Sequence, residues 1–262
     1  MANMIPLMQY LQDSPPAIPL GSVNPGPNTT NTAYGANNIQ HVGIWTNFNL
    51  ATIRQRYQTL LATTRLQPDP FPASPPQAIN VEGLLRDHIT EMLRPRIRRA
   101  LRAGFHQLHA SNLLNGLTPV SFSRGEAAAT PNGYKPDIAY FIDASNPGSG
   151  PNRAPGDVKP SWKWSTAYRT GTPSQQREFR QVLSQVNWYM KQHISRYGVV
   201  ITDLEMVAIR RLDDNGNLEL SAPISWETHG TAQQPRLTIM LALWYLGMLA
   251  AQDQGHDRWS MS

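Results

Sequence analysis

The chain has no cysteine among its 262 residues. Disulfide bonds and zinc sites built from thiolates are therefore excluded. Long hydrophobic runs are also missing, since the longest, residues 237–251, has fifteen residues and a membrane span needs about 18. We therefore expect no membrane segment, and we expect this run to form either a buried C-terminal helix or the contact surface of a homodimer.

The N-terminus lacks the basic segment and the long apolar stretch of a signal peptide. We therefore expect an intracellular protein, either nuclear or cytoplasmic. Lysine is scarce, with four residues, whereas arginine supplies nineteen of the 23 basic side chains, and the formal net charge is +5. Because guanidinium groups bind phosphate bidentately and stack on bases, this composition favours an anionic partner such as nucleic acid. A generally arginine-rich composition would give the same charge without such a partner.

Proline, glycine, asparagine and threonine concentrate in residues 13–40, and a second proline cluster covers residues 67–77. Such stretches are typical of loops and linkers. One helix is expected between them, within residues 41–65. We therefore predict that residues 1–76 form a partly irregular N-terminal extension and that residues 77–262 form the main domain.

Apolar residues recur at helical spacing from residue 81 onward, with Asn80 as the candidate N-cap. Pro95 should interrupt or kink this helix, and Gly104 can end it. The pattern further along the chain predicts three strands with a wide connection before the third, a second long helix, two strands, a hairpin at Asn215-Gly216 and a terminal helix. These elements are expected near residues 117–122, 136–142, 156–162, 174–196, 197–212, 218–226 and 237–251.

Two opposite charges flank one apolar residue at Asp157-Val158-Lys159. Since side chains alternate along a strand, Asp157 and Lys159 should point to one face and Val158 to the other. Asp137 begins the preceding strand, and pairing of the two strands would bring the two carboxylates together. Close carboxylates repel each other, and a divalent cation such as Mg²⁺ or Mn²⁺, which prefers oxygen ligands, would remove that repulsion. The simpler alternative is a surface salt bridge, which contributes little to stability.

The first long helix offers a further carboxylate. On a helical wheel, Glu82 falls within the apolar arc that contains Leu85 and Ile89, whereas Glu91 faces away. A carboxylate on an inward face is costly unless it is paired or bound to a metal. Glu82 is therefore a candidate third acid, with the alternative that it only favours the positive N-terminus of its helix.

Residues 136–137 (Pro-Asp) and residues 157–159 (Asp-Val-Lys) resemble the motif of the PD-(D/E)XK nuclease superfamily. The expected order of helix, three strands, helix and strand in residues 80–203 is similar to the core of that family. Residues 185–189 resemble the Gln-x-x-x-Tyr signature of one of its branches, and residues 197–211 are similar to a segment of fungal members. The resemblance covers about half of the chain.

This resemblance implies an α/β fold with a restriction-endonuclease-like core around a mixed central sheet, to which a C-terminal hairpin and helix are added. It implies Mg²⁺ or Mn²⁺ as the cofactor and the hydrolysis of nucleic-acid phosphodiester bonds as the activity. Asp137, Asp157 and the Val158 carbonyl are implied as metal ligands, with Glu82 as the helix acid. The side chains expected to act in catalysis are Glu82, Asp137, Asp157, Lys159 and Gln185.

The expected partner is nucleic acid, with DNA favoured over RNA. Its candidate contacts are Arg98, Arg102, Lys163 and Tyr189. The arginine cluster of residues 94–102 could follow a phosphate backbone, or it could be a solvated helix face. The alternative function is a catalytically inactive module of the same fold, which binds nucleic acid or protein as an effector or as a subunit of a complex.

Overall fold

The computed structural model describes residues 4–23, 26–143 and 148–261. Short 3-10 helices lie at Ala36–Asn38, Gly125–Ala127, Pro131–Gly133 and Thr166–Thr170. The strands and α-helices of the described part are, in chain order, β1 (Ile5–Pro6), α1 (Leu7–Tyr10), β2 (His41–Ile44), α2 (Leu50–Thr63), β3 (Arg65–Leu66), α3 (Glu82–Ala110), β4 (Ser121–Ser123), β5 (Ala139–Phe141), β6 (Gly156–Val158), α4 (Pro173–Gln192), β7 (Tyr197–Ile201), β8 (Glu205–Arg211), β9 (Asn217–Leu220), β10 (Ile224–Ser225) and α5 (Ile239–Ala250).

The central sheet is mixed, with the strand order β2-β9-β8-β7-β6 in the described part and with β10 paired to β8. Strand β6 runs parallel to β7 and β2 runs parallel to β9, whereas β8 is antiparallel to both β7 and β9. Strands β4 and β5 form an antiparallel pair that reaches β6 through the bridge between Ile138 and Gly156. The predicted order of helix, three strands, helix and strand is observed as α3, β4, β5, β6, α4 and β7, and the α/β class with a mixed sheet is confirmed.

Helices cover both faces of this sheet. Along β7, Val199 packs with α3 and α5, whereas its neighbour Val200 packs with α4. Along β8, Ala208 and Val207 divide between the two faces in the same way. This alternation follows from the two-residue period of a strand and makes the sheet the middle of three layers.

Helix α3 differs from its prediction at both ends of the expected segment. Its N-cap is Val81 rather than Asn80, and no side chain caps it. The helix also continues through Pro95 to Ala110. Pro95 and Glu91, whose carbonyl loses its usual partner, are both exposed, so water can replace the missing hydrogen bond without a break in the helix.

The first 76 residues do not form an extension outside the main domain. Strand β2 joins the sheet beside β9, and Trp45 and Ile53 are buried in the same core as α3 and α5. The expected linker at residues 67–77 is fixed because the buried Arg96 donates hydrogen bonds to the backbone carbonyls of Asp69 and Pro70. The predicted division at residue 76 is therefore wrong, since both sides of it share one core, although much of the segment before β2 is irregular as expected.

All twelve residues of α5 are buried within the single chain. Gly104 does not end α3 but lies within it, facing α5, where a Cβ would meet Trp244 Nε1 at an ordinary contact distance of 3.5 Å. The apolar run of residues 237–251 is thus explained by the core of one chain, and the prediction of a homodimer through this helix loses its basis. No helix in the described ranges combines the length and the hydrophobicity that a bilayer span needs.

The connections agree in part with their predictions. Residues 142–155 link β5 to β6 as a wide connection, of which residues 144–147 lie outside the described ranges. Gly216 has a φ of +84° in the turn between the antiparallel strands β8 and β9, where the hairpin was predicted. Helix α4 ends at Gln192, earlier than the predicted end near residue 196, and Ile194 beyond it adopts a left-handed φ of +56°.

Candidate active site

The site forms around β6. Val158 packs into the core with α3 and α5, whereas Asp157 and Lys159 lie on the opposite face, as predicted. The Lys159 N–H donates to the Ile201 carbonyl at 3.0 Å, so the residue that carries the ammonium is held in register with β7. Asp157 is 2% exposed and Lys159 is 3% exposed. The alternative of a surface salt bridge is therefore wrong.

Gly156 allows three segments to meet at this point. A Cβ there would clash with Val199 and would lie 3.1 Å from the Ile138 Cβ. Gly156 exchanges two hydrogen bonds of 3.1 Å with Ile138, and its carbonyl accepts a third from the Asp137 N–H at 3.0 Å. This close approach places Asp137 beside β6.

Beyond the pairing of Ile138 with Gly156, the side chain of Asp137 takes the place of a backbone hydrogen-bond acceptor for β6. Its Oδ2 accepts a hydrogen bond from the Val158 N–H at 3.0 Å, and its Oδ1 accepts one from Arg86 Nη1 at 3.0 Å. In an extended strand the N–H and C=O groups of one residue point to the same edge, so the Val158 carbonyl is directed to the Asp137 side. The Asp137 carboxylate therefore lies beside the Val158 backbone at the end of β6, and Asp157 directly precedes Val158 in that strand.

The Lys159 ammonium connects the sheet to α3. Its Nζ lies 2.7 Å from Asp157 Oδ2 and 2.9 Å from Glu82 Oε1, and Lys163 Nζ lies 3.4 Å from Glu82 Oε2. Glu82 is the first residue of α3 and turns its side chain towards the two lysines. Its observed contacts make it the partner of Lys159, and its role as a metal ligand stays a prediction.

The ionisation of this cluster is strongly perturbed. Burial raises the pKa of Asp157 from 3.8 to about 7; the charges of Asp137 and Glu82 add to this rise and that of Lys159 opposes it. Burial also disfavours the charged form of Lys159, but the surrounding carboxylates outweigh this and its pKa lies above the ordinary value. Burial raises the pKa of Glu82, yet the charges of the two lysines hold it below the ordinary value. Asp157 is therefore the carboxyl group that would gain most from a further cation.

Helix α4 supplies a polar pair to the same site. Gln185 Nε2 donates to Asp157 Oδ1 at 3.4 Å and to the Tyr189 hydroxyl at 2.9 Å. Tyr189 is 4% exposed, and its burial together with the charge of Asp157 raises the pKa of its hydroxyl. Gln185 thus lies where it was predicted, whereas Tyr189 is not a surface contact for nucleic acid because its ring is enclosed behind Gln185.

The loop after Lys159 fixes the second lysine of the site. Both oxygens of Asp203 accept hydrogen bonds of 2.7 Å from Ser161, one from its N–H and one from its hydroxyl. Trp164 is fully buried and stacks on Phe179, with ring centroids 5.8 Å apart. Lys163 is held between these anchors beside Glu82, with a quarter of its side chain exposed.

Sequence reasoning missed Arg86, which pairs with Asp137 from α3. Arg86 follows Glu82 by four residues, so the two side chains lie on the same side of one helix. This spacing could have indicated from the sequence that Arg86 lies near the site. Arg86 is 43% exposed, in contrast to the buried lysine of the same site.

Sequence reasoning also missed the contribution of the irregular N-terminal segment. Tyr34 is buried near Asp157. Burial is the main cause that raises the pKa of the Tyr34 hydroxyl, and the negative charge of Asp157 raises it further. Asn28 Nδ2 donates to Glu178 at 2.8 Å and to the Lys163 carbonyl at 3.0 Å. The segment around residues 28–36 therefore lies against α4 and the lysine loop, which no local pattern in its sequence indicates.

Arg98 and Arg102 are not part of this site. They are exposed on the second half of α3, at least twelve residues after Arg86, which corresponds to about 18 Å or more along the helix axis. They line a separate cleft of about 670 Å³. Their predicted contact with nucleic acid stays a prediction, and it concerns a second surface.

The oxygen donors of the site fit a hard divalent cation. Asp157 Oδ2 is buried and, apart from the Lys159 ammonium, it has no hydrogen-bond partner in the described part of the chain. The two carboxyl groups interact electrostatically, since the charge of Asp137 contributes to raising the pKa of Asp157. No group of three or more His, Cys, Asp or Glu side chains that could hold a metal occurs in the described ranges. The chain would therefore supply two carboxylates and one carbonyl, and waters would complete the coordination of Mg²⁺ or Mn²⁺.

No protein-family model, curated protein or solved structure matches this chain. The resemblance to the PD-(D/E)XK superfamily therefore stays a prediction that depends on residues 136–137 and 157–159. The geometry of the site around β6 is the basis for the function considered next.

Proposed function

We propose that this chain is a nuclease with a restriction-endonuclease-like core, which hydrolyses nucleic-acid phosphodiester bonds with Mg²⁺ or Mn²⁺ and acts on DNA rather than RNA. The observation that supports this proposal most directly is that the buried pair of Asp157 and Lys159 lies on β6, next to the half-buried Asp137 of a neighbouring extended segment. Burial of charges is costly for stability, and strongly perturbed carboxyl and ammonium groups occur preferentially at functional sites.

In this proposal Asp137, Asp157 and the Val158 carbonyl would hold the cation. A bound divalent cation polarises a phosphodiester and lowers the pKa of a water ligand. Lys159, which is kept charged by its carboxylate partners, would stabilise the negative charge that develops on the phosphate during attack. Glu82 and Gln185 would position Lys159 and Asp157 through their contacts of 2.9 and 3.4 Å.

The direct test is cleavage of labelled single- and double-stranded DNA and RNA by the wild type and by Asp157→Asn, with Mg²⁺ and then Mn²⁺. We expect the variant to lose about 100-fold or more of the cleavage rate, because the cation loses a charged ligand. Asp87→Asn is the matched control, since it removes an exposed aspartate of α3 that pairs with Arg124. Equal rates for Asp157→Asn and the wild type would remove Asp157 from the mechanism.

A second candidate function is a catalytically inactive module that retains the fold. Its support is that Lys159 is already paired with two carboxylates inside the protein, so the cluster could serve as a buried structural ion-pair network. The two functions differ in their response to Mg²⁺ or Mn²⁺. A nuclease site saturated at 100 times its Kd would stabilise the fold by about 2.7 kcal/mol, whereas an inactive module would show no metal-dependent thermal shift.

A further inference from the structure

A cationic cleft lies on the second half of α3, away from the cluster around β6. It has a volume of about 670 Å³, within the usual range for small-molecule sites. Its basic wall consists of Arg98, Arg99 and Arg102 with His106 and His109. Because residues three and four apart lie on one side of a helix, Arg98, Arg102, His106 and His109 form one continuous stripe.

The positive charge of this cleft is only partly neutralised. Arg98 Nη2 lies 3.9 Å from Asp143, and Arg99 Nη1 lies 3.2 Å from Asp69. Arg102 forms no ion pair within the described ranges. Ion pairs between exposed side chains such as Arg98 and Asp143 contribute little, so these guanidinium groups can turn to an incoming anion.

The remaining lining of the cleft is apolar. Phe105 and Val120 are almost fully buried, and Leu114 and Pro119 extend the same surface. An inorganic anion needs no such surface, whereas a ligand that joins a phosphate to a flat, weakly polar ring would use both halves of the cleft. Guanidinium groups bind phosphate bidentately and also stack on bases.

We propose that this cleft binds a nucleoside phosphate unit, with the phosphate on Arg98 and Arg102 and the base against Phe105 and Val120. The unit would be either a free nucleotide or one nucleotide of a strand that passes from the candidate active site. Arg94 lines a small crevice together with Asp137, and Arg98 follows it by one helical turn at the cleft, so a strand would meet basic side chains along this path. The binding does not require hydrolysis.

The test measures binding in EDTA, so that its result is independent of the candidate metal site. The probes are AMP, adenosine, inorganic phosphate and a fluorescently labelled single-stranded decanucleotide. The variant is Arg98→Ala/Arg102→Ala, and the control Arg54→Ala removes an exposed arginine of α2 that does not line the cleft. Circular dichroism and thermal melting establish that each variant is folded, and Arg98→Lys/Arg102→Lys is a second variant that retains the charge.

We expect the double alanine variant to weaken binding at least tenfold and Arg54→Ala to change it less than twofold. The slope of log Kd against log salt concentration should also fall by about one to two, as expected for the loss of two phosphate contacts. A loss seen with AMP identifies a free nucleotide as a ligand, and a loss seen with the decanucleotide alone identifies a strand. Unchanged binding of both AMP and the decanucleotide by the double variant would overturn the proposal, and so would measurable binding of AMP that is no tighter than the binding of inorganic phosphate.

Discussion

Replacement of Lys159 by methionine tests the buried cluster most sharply. Methionine has a similar length and no branch, so Lys159→Met removes the charge and leaves most of the packing. Lys159 is 3% exposed, and its ammonium lies 2.7 Å from the carboxylate of Asp157, which is 2% exposed. Removal of one partner of such a buried pair typically costs about 3–5 kcal/mol in the free energy of unfolding.

The size of this loss should depend on pH. In the wild type, burial raises the pKa of Asp157 to about 7 even though Lys159 opposes the rise, so removal of Lys159 moves this pKa higher. Below pH 7 both proteins hold Asp157 protonated when folded, and we expect the lower end of the range, about 3 kcal/mol. Above pH 7 the folded variant still binds a proton that the unfolded chain has released, so its stability falls by up to about 1.4 kcal/mol per pH unit relative to the wild type.

The assay is urea unfolding at pH 6 and pH 8.5, followed by tryptophan fluorescence and far-UV circular dichroism to verify a two-state transition. We expect a difference of about 3 kcal/mol at pH 6 and about 5 kcal/mol at pH 8.5. For the Asp157→Asn/Lys159→Met double variant, the loss of unfolding free energy relative to the wild type should not increase between pH 6 and pH 8.5. Lys191→Met, at the C-terminal end of α4, should cost less than about 1 kcal/mol at either pH. A loss that is the same at both pH values would show that Asp157 does not take up the proton and would refute this reasoning.

Two further predictions concern the backbone and a second buried titratable group. Gly156→Ala should lower the free energy of unfolding in urea by about 1–3 kcal/mol, because the new Cβ would clash with Val199. The control Gly150→Ala meets open space and should stay within about 0.5 kcal/mol of the wild type. Equal effects of the two variants would show that β6 and β7 can separate at no cost. Burial lowers the pKa of His193 from 6.5 to about 4, so the folded state excludes a proton that the unfolded chain accepts, and this contribution to stability is lost as the pH falls from 6.5 to 4. From pH 7 to pH 4.5 the wild type should lose about 2.7 kcal/mol more than His193→Asn, and parallel stability curves would contradict the assignment.

Much of the fold follows from local patterns. The alternation of apolar residues along β7 and β8, the Asn215-Gly216 turn and the apolar stripe of α4 depend on neighbours within a few residues, and each was found at or near its predicted place. The opposite directions of Asp157 and Val158 likewise follow from strand geometry alone. Pro95 does not interrupt α3, because the carbonyl that loses its partner is exposed and can bind water.

The candidate site required more than local pattern. The motif residues Asp137, Asp157 and Lys159 could be named from the chain, and Gln185 could be named from the resemblance of residues 185–189 to the Gln-x-x-x-Tyr signature. Their meeting depends on a close approach at Gly156 between segments that are separated by a long loop. The arginine that pairs with Asp137, and Tyr34 from the segment around residues 28–36, enter the site from other parts of the chain.

The identities and periods of the residues thus specified the order of the elements, the absence of thiol chemistry and the chemical types available for a site. Long-range packing decided the rest: it placed Trp45 and the buried face of α2 within the shared core, buried α5 inside one chain and raised the pKa of Asp157 to about 7. The physical reason is that burial and charge proximity depend on residues far apart in sequence, whereas helical and strand periods depend on residues that are close together.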